Sequence, residues 1–280
     1  PAAKPGLLNK PWDIFIKNGD QIRLDFEILT KDRKSISIDD PHTRIYNEKN
    51  IFVEEGAEVK AAILNAENGP IYIGKNAKIH EGAIIRGPFA LCEFGQVNMG
   101  AKIRGDSTFG PHTKVGGEVA NSVIMGYSNK GHEGYLGSSV IGEWCNLGAD
   151  TNTSTMKNNY TKIKMWDYSK DSFVKTGLQF CGLIMGDHSK CGINTMFNIG
   201  TVVGVSANIF GSGYQRNVIP SFSWGGSKGF TIYKLSKAKE TAAKAKLRKM
   251  DEWSQGDENI FDEIFERSTK YRIWENKNEL

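Results

Sequence analysis

The chain lacks the features that would point to a membrane or to export. Among its 280 residues, no apolar run approaches the roughly 18 residues that a membrane-spanning helix needs. The amino terminus has no basic segment followed by an apolar one, so no export signal is predicted. We therefore expect a cytoplasmic protein without a membrane partner. An initiating methionine is also lacking, which leaves open a missing upstream domain.

Charge of one sign is scarce, and so are paired cysteines. The 36 basic and 32 acidic side chains leave a net charge of +4, which is too small for this length to indicate a nucleic-acid partner. The four cysteines include no close pair such as C-x-x-C, so we expect free buried thiols in a reducing compartment and no metal site. They are Cys92, Cys145, Cys181 and Cys191.

Glycine, by contrast, is abundant at 31 residues, which prompts a search for internal repeats. Stepping by six residues from Ile73 to Val115 meets an aliphatic or aromatic side chain every time, and a second such run leads from Met185 to Ile209. A period of six excludes an amphipathic helix and a simple alternating strand. Each hexad predicts one short strand and a corner, and three hexads close one turn of a coil of parallel strands. The positions are Ile73, Ile79, Ile85, Leu91, Val97, Ile103, Phe109 and Val115, then Met185, Cys191, Phe197, Val203 and Ile209.

Between these runs the period shifts and is then lost. After a slip of two residues it is expected to continue through Val123, Asn129, Tyr135, Ile141 and Leu147, and it disappears from about residue 152 to 170. Such interruptions predict loops. The polar stretch 151–160 is either a binding loop or an excursion into solvent.

The flanks of the repeat predict helices. Pro11 suits a first helical turn that ends at Asn18-Gly19, and residues 22–29 fit a strand or a helix, with helix favoured. Near the other end, apolar residues at helical spacing predict two helices, from Leu235 and after a cap at Asn259. The predicted domains are a helical and linker region at 1–50, a coil at 51–225 and helices at 226–280.

One histidine has an unusual setting. His132 lies in Gly-His-x-x-Tyr-Leu-Gly, followed by Ile-Gly-x-x-x-Asn-x-Gly-Ala at residues 141–149 and by Asn-Tyr at 159–160. These motifs resemble the acetyltransferase domain of the bifunctional glucosamine-1-phosphate acetyltransferase/N-acetylglucosamine-1-phosphate uridylyltransferase family. The first helix and the segment 220–226 are similar to an alternative bacterial form of it. The resemblance covers nearly the whole chain.

The resemblance implies an all-β fold, a left-handed parallel β-helix with helical flanks, acting as a homotrimer. A general crossover rule would favour the right hand, so the hand comes from the resemblance alone. It also implies an N-acetyltransferase that takes acetyl-CoA as co-substrate. The implied acceptor is an amino-sugar phosphate, glucosamine 1-phosphate first, in nucleotide-sugar synthesis.

The resemblance further implies a role for each matching residue. Acetyl transfer to an amine requires a base and a stabilised oxyanion, and histidine readily accepts a proton near neutral pH. The implied catalytic residues are His132 as general base, Ala149 through its backbone N–H, and Asn146. The implied acceptor-binding residues are Lys102, Glu118, Tyr135, Asn159 and Lys162, and those near the coenzyme are Thr176 and Ile193.

Departures from the family keep other functions open. Ala120 replaces a lysine that binds phosphate in the family, and Asp150 replaces a glycine, so the chain is alternatively a non-catalytic scaffold for a sugar-phosphate nucleotidyltransferase. A third function on the same coil, the γ-class carbonic anhydrase plan, would need His80, His112 and His132 around zinc, but their spacing does not match it. No glycine-rich nucleotide loop is present, so this chain is not expected to transfer nucleotides itself.

Overall fold

The computed structural model describes residues 6–274. They divide into two compact units, the first ending at Val140 and the second beginning at Ile141. Each unit consists mainly of short strands and includes helix. Within residues 6–274, no helix combines the length and the apolar character needed to cross a membrane.

The first unit is a coil with three parallel sheets, which we call faces 1, 2 and 3. The chain passes through the faces in turn, so each circuit adds one strand to each sheet. Face 1 contains Arg44–Tyr46, Ile63–Asn65, Ile84–Arg86, Lys102–Ile103, Glu118–Ala120 and Tyr135–Gly137. Face 2 contains Ile51–Val53, Ile71–Ile73, Phe89–Leu91, Ser107–Phe109 and Val123–Ile124. Face 3 contains Glu58–Val59, Lys78–Ile79, Gln96–Val97, Lys114–Val115 and Asn129–Lys130, and a 3₁₀ turn spans Glu48–Asn50.

The hexad residues form the core of this coil. All eight positions of the first run are at most 1% exposed, which confirms the predicted hexapeptide-repeat parallel β-helix. Corner residues adopt the left-handed backbone region, with φ of 55° at Asn76 and Phe94 and 57° at His112. The first strand, Arg44–Tyr46, precedes the coil boundary that the hexads suggested at residue 51.

The interruption of the period differs from the expected one by one residue. The buried positions are Ile124, Lys130 and Leu136, not their predecessors Val123, Asn129 and Tyr135. Strand pairing explains the shift, because the circuit from Lys102 to its partner Glu118 takes 16 residues whereas the one from Ile84 to Lys102 takes 18. Tyr135 therefore faces outward on face 1 and a lysine occupies a core position.

The first helix, α1, spans Asp13–Thr30, so the expected end at Asn18-Gly19 is wrong. Phe15 and Ile22 are buried beneath it. The Asn18 side chain hydrogen-bonds the backbone of Asp106 and the hydroxyl of Thr108, both at 2.8 Å, so it anchors the helix rather than ending it. The helical alternative for residues 22–29 is confirmed.

The second unit contains the second hexad run, whose five residues are at most 5% exposed. A strand at the boundary between the units spans Val140–Ile141. One parallel sheet contains Leu183–Met185, Thr201–Val203 and Val218–Ile219. Another contains Asn146–Leu147, Lys190–Cys191, Asn208–Ile209 and Ser223–Gly226, with Gly229–Ile232 antiparallel at its edge. A parallel pair joins Asn152–Thr153 to Met196–Phe197, and the interruption carries an antiparallel hairpin of Lys164–Asp167 and Ser172–Lys175.

The second unit ends in the predicted pair of helices. Helix α2 spans Leu235–Leu247, helix α3 spans Gln255–Ser268, and a 3₁₀ turn follows at Thr269–Tyr271. The expected cap at Asn259 is wrong because Ser254 caps α3, its side chain accepting from Asp257 N while the Asp257 carboxylate accepts from Ser254 N. Such a capping box satisfies two otherwise unpaired backbone donors.

Candidate active site

Three of the predicted acceptor-binding residues lie side by side on face 1. Lys102 pairs with Glu118, and Glu118 pairs with Tyr135, so they occupy one column across three adjacent strands. Neighbouring strands lie about 4.8 Å apart. Their neighbours Ile103, Val119 and Leu136 point into the core, so the column faces outward. The fold thus brings these three side chains together as one polar strip.

A second column on face 1 contains a cation that sequence spacing missed. The register that pairs Ile103 with Val119 also sets Arg104, rather than Lys102, beside Ala120. The Arg104 guanidinium lies 3.4 Å from the Glu118 carboxylate, while Lys102 lies 3.8 Å from Glu133. Stepping by 18 residues pairs Lys102 with Ala120, and only the shortened circuit reveals the change. The cation lost at Ala120 is therefore accompanied by an arginine on the neighbouring strand.

His132 lies at an open cavity of about 440 Å³ beside face 1. Its side chain is exposed, and the loop that carries it is held by a hydrogen bond of 2.7 Å from the Asn98 side-chain amide to Gly131 O. The cavity is lined by His80, Asn98, Met99, Gly116, Gly117, Gly131, His132 and Glu133. An imidazole here is accessible to a small-molecule amine.

A buried ammonium supports the His132 loop from inside the coil. Lys130 occupies the core column of face 3, in register with Val115, and is only 2% exposed. Its ammonium donates to the carbonyls of Gly116 at 3.0 Å and His132 at 2.6 Å. A buried charge is costly unless it is paired or hydrogen-bonded, and these carbonyls are its compensation. Lys130 thereby ties the His132 backbone to the preceding turn.

Gly117 leaves room for this arrangement. Its φ of +70° suits glycine, and a Cβ there would lie 2.7 Å from Gly134 O and 2.9 Å from both His132 O and the Lys130 ammonium. Contacts under 3.0 Å with backbone cannot be accommodated without movement. The close approach therefore requires glycine at residue 117.

In the second unit, Asn146 and Ala149 lie on and after one strand. The Asn146 side chain is exposed on a strand paired with Lys190. Ala149 O accepts from Asn194 N at 2.7 Å, whereas the Ala149 N–H donates to no residue among 6–274. Ile193, which is 70% exposed, precedes that Asn194. A free N–H with an apolar neighbour on the adjacent turn suits a donor to an oxyanion.

The remaining predicted residues lie around the hairpin. Asn159 lines an open cavity of about 430 Å³, and its amide oxygen accepts from the backbone and hydroxyl of Thr161. Lys162 is exposed nearby in the chain. The Thr176 hydroxyl instead donates to Ile163 O at 2.9 Å and fastens the base of the hairpin. The cavity lining does not include Lys162, Thr176 or Ile193.

Metal-ligating side chains do not converge. Within residues 6–274, no group of three or more His, Cys, Asp or Glu side chains is arranged to hold a metal ion. His80 and His132 line one cavity, but His112 stacks between Phe94 and Tyr127, with ring centroids 4.8 and 4.9 Å away. His112 thus serves the coil corner rather than a cluster with the other two.

All four cysteines are free thiols. Burial raises the pKa of Cys181 to about 12 and, with the nearby Glu93 carboxylate, that of Cys92 to about 11. The nucleophilic form of cysteine is the thiolate, so a raised pKa makes both thiols unreactive. Neither is suited to carry an acyl group.

The comparison with known proteins agrees with the motifs. The chain is 28% identical over 169 residues to a bifunctional sugar-1-phosphate nucleotidylyltransferase/acetyltransferase of Sulfurisphaera tokodaii, covering 59% of this chain and 40% of that protein. It is 37% identical over 87 residues to the bifunctional protein GlmU of Methanocaldococcus jannaschii, covering 31% and 21% of the two chains. The resemblance to the bifunctional family is confirmed.

Another relative is named only for its acetyltransferase character. A putative uncharacterized acetyltransferase, YaiX, of Escherichia coli is 24% identical over 158 residues, covering 56% of this chain and 66% of that protein. No family model matches the chain. The chain spans between about a fifth and two thirds of the length of these three relatives. The GlmU-type similarity aligns with the acetyltransferase part of those proteins.

Proposed function

We propose that this protein is an acyltransferase that moves an acetyl group from acetyl-CoA to the amine of an amino-sugar phosphate. The observation that carries the proposal is the exposed His132 at an open cavity beside the outward column of Lys102, Glu118 and Tyr135. The GlmU-type relatives and their acetyltransferase names support the same class of reaction. By the same resemblance, we propose that the protein works as a homotrimer.

In this reaction the neutral amine nitrogen attacks the thioester carbonyl. Its proton passes to the His132 imidazole, the new nitrogen–carbon bond forms, and the carbon–sulfur bond breaks. The thiolate leaves and takes the proton, so the base is regenerated. The Ala149 N–H is proposed to donate to the carbonyl oxygen as negative charge develops on it. Asn146 is proposed to orient the thioester, and Thr176 and Ile193 to lie near the coenzyme.

The acceptor is proposed to bind along face 1. Glu118 and Tyr135 offer hydrogen-bond partners for sugar hydroxyls, while Lys102 and Arg104 supply positive charge for a phosphate. Asn159 and Lys162 are proposed to contact the same acceptor. Glucosamine 1-phosphate is the first candidate because the relatives of known description act in the metabolism of sugar 1-phosphates by name.

The test is thiol release from acetyl-CoA by the purified chain, offered glucosamine 1-phosphate, glucosamine 6-phosphate or glucosamine. We expect release with the 1-phosphate, and His132→Ala should lower it by about 10²-fold or more, the typical contribution of a general base. His42→Ala, which removes another exposed histidine, is the matched control and should retain full activity.

Two outcomes would change the proposal. Release only with another acceptor would keep the reaction and replace the substrate. No release with any acceptor, from a folded protein that also binds no acetyl-CoA, would overturn the enzymatic function in favour of a non-catalytic scaffold. Light scattering on the same sample measures the oligomeric state, and a mass other than a trimer would contradict that part.

A further inference from the structure

A second cavity on the first unit is lined by three arginines. It has a volume of about 430 Å³ and lies where face 1 turns into face 2. Arg86 and Arg104 follow one another on neighbouring strands, because Ile84 pairs with Lys102 and Ile85 with Ile103. Arg23 reaches the same cavity from helix α1. The other lining residues are Asn68, Gly87, Pro88, Gly105 and Asp106.

The positive charge in this cavity is mostly uncompensated. Asp106 is its one lining carboxylate, and Arg23 lies 3.9 Å from it. Arg104 lies 3.4 Å from Glu118, which stands on face 1 outside the lining. The Arg86 side chain forms no ion pair or hydrogen bond with any of residues 6–274. Three guanidinium groups against one lining carboxylate leave an excess of two positive charges.

Arg23 is also held in place by neutral partners. Its two terminal nitrogens donate to Gly19 O at 3.0 Å and to Asn68 O at 2.8 Å. Helix α1 is fixed on the coil by Asn18, which bonds the backbone of Asp106 beside the cavity. The guanidinium therefore needs little reordering to meet an anion, and planar guanidinium groups favour bidentate contacts with phosphate.

We propose that this arginine cavity, formed by Arg23, Arg86 and Arg104, binds a phosphate group of a small phosphorylated ligand. The cavity shares no lining residue with the one at His132. Met99 lines the His132 cavity and Gly105 lines the arginine cavity, one at each end of the same strand of face 1. At about 3.3 Å per residue this separation is on the order of 15 to 20 Å.

That distance leaves two sources for the phosphate. One is a separate phosphorylated ligand. The other is the distal phosphate of an acceptor longer than a monosaccharide phosphate, extending along face 1 from His132. Both use the same recognition chemistry, and the site itself does not depend on the acyltransferase activity proposed above.

The test is isothermal titration of the full chain with inorganic phosphate and with pyrophosphate, in the absence of any acyl donor. We expect pyrophosphate to bind, and Arg86→Met and Arg104→Met each to weaken binding by about tenfold or more, since each removes a charge-assisted contact. Arg44→Met is the matched control, because Arg44 is an exposed arginine on face 1 outside the cavity. It should bind as the wild type does. Thermal unfolding of each variant verifies that it is folded.

The two sources are separated by kinetics with glucosamine 1-phosphate and with a nucleoside-diphosphate-linked glucosamine. If the phosphate belongs to an extended acceptor, Arg86→Met raises KM for the longer substrate alone and leaves kcat unchanged. If it belongs to a separate ligand, both KM values stay unchanged while pyrophosphate binding is lost. No phosphate or pyrophosphate binding by the wild type, or equal binding by wild type and folded Arg86→Met, would overturn the proposal.

Discussion

Acid should destabilise the second unit through one buried histidine. His188 is only 9% exposed and packs against Trp144, Trp253 and Phe261, with ring centroids 6.1, 6.4 and 5.3 Å away. Its Nδ1 has no hydrogen-bond partner among residues 6–274. Burial, followed by the charge of Lys190, lowers the pKa of His188 from 6.5 to about 4.

The sign and size of the effect follow from this shift. Because the pKa is lower in the folded protein, the unfolded chain takes up the proton first as the pH falls below 6.5. Folding free energy is then lost progressively between pH 6.5 and 4, and nothing is lost above pH 6.5. With about 1.4 kcal/mol for each pH unit, the loss reaches about 3 kcal/mol at pH 4.

The perturbation that isolates this effect is His188→Asn. The residue has φ of 59°, a left-handed conformation that asparagine tolerates better than most side chains, and asparagine does not titrate. Lost ring packing lowers the stability of the variant equally at every pH. The difference in unfolding free energy between wild type and variant should therefore shrink by about 3 kcal/mol between pH 7 and pH 4.

Urea denaturation followed by tryptophan fluorescence at several pH values measures this difference. His42→Asn, a change at an exposed histidine, controls for the removal of an imidazole from the surface. A difference between wild type and His188→Asn that stays constant from pH 7 to pH 4 would refute the reasoning.

Further predictions concern the His132 loop and the thiols. Lys130→Met removes the ammonium that holds His132 O, so acetyl transfer should fall by about tenfold or more, while Lys114→Met on the neighbouring strand should leave turnover unchanged; equal activities would contradict this role. Gly117→Ala should cost about 1 to 3 kcal/mol more in unfolding free energy than Gly82→Ala, because both have positive φ but only the first meets backbone oxygens within 3.0 Å; equal losses in urea titration would contradict it. The thiols should react with an aromatic disulfide reagent at pH 8 only after unfolding, since burial raises the pKa of Cys181 to about 12; rapid reaction of the native protein would contradict this.

Much of the fold could be predicted because one chemical pattern recurs. Apolar side chains every six residues have to point inward for a coil of short strands to bury them, and all thirteen residues of the two hexad runs do so. The helices before and after the coil were predictable from apolar spacing, but their ends were not. Helix α1 continues through Asn18-Gly19 because Asn18 bonds to the coil, and such a contact leaves no local signal in the sequence.

The candidate site divides in the same way. The motif around His132 and the column of Lys102, Glu118 and Tyr135 were recognisable as residues, since their chemical types are visible in the chain. Their neighbours were not, because the circuit shortened to 16 residues sets Arg104 beside Ala120. Sequence alone determined the hexad core, its flanking helices and the identity of the base that we propose. Tertiary structure alone decided the strand register, the burial of Lys130 beneath His132 and the meeting of Arg23 with Arg86, because these depend on pairing between turns and not on the local chain.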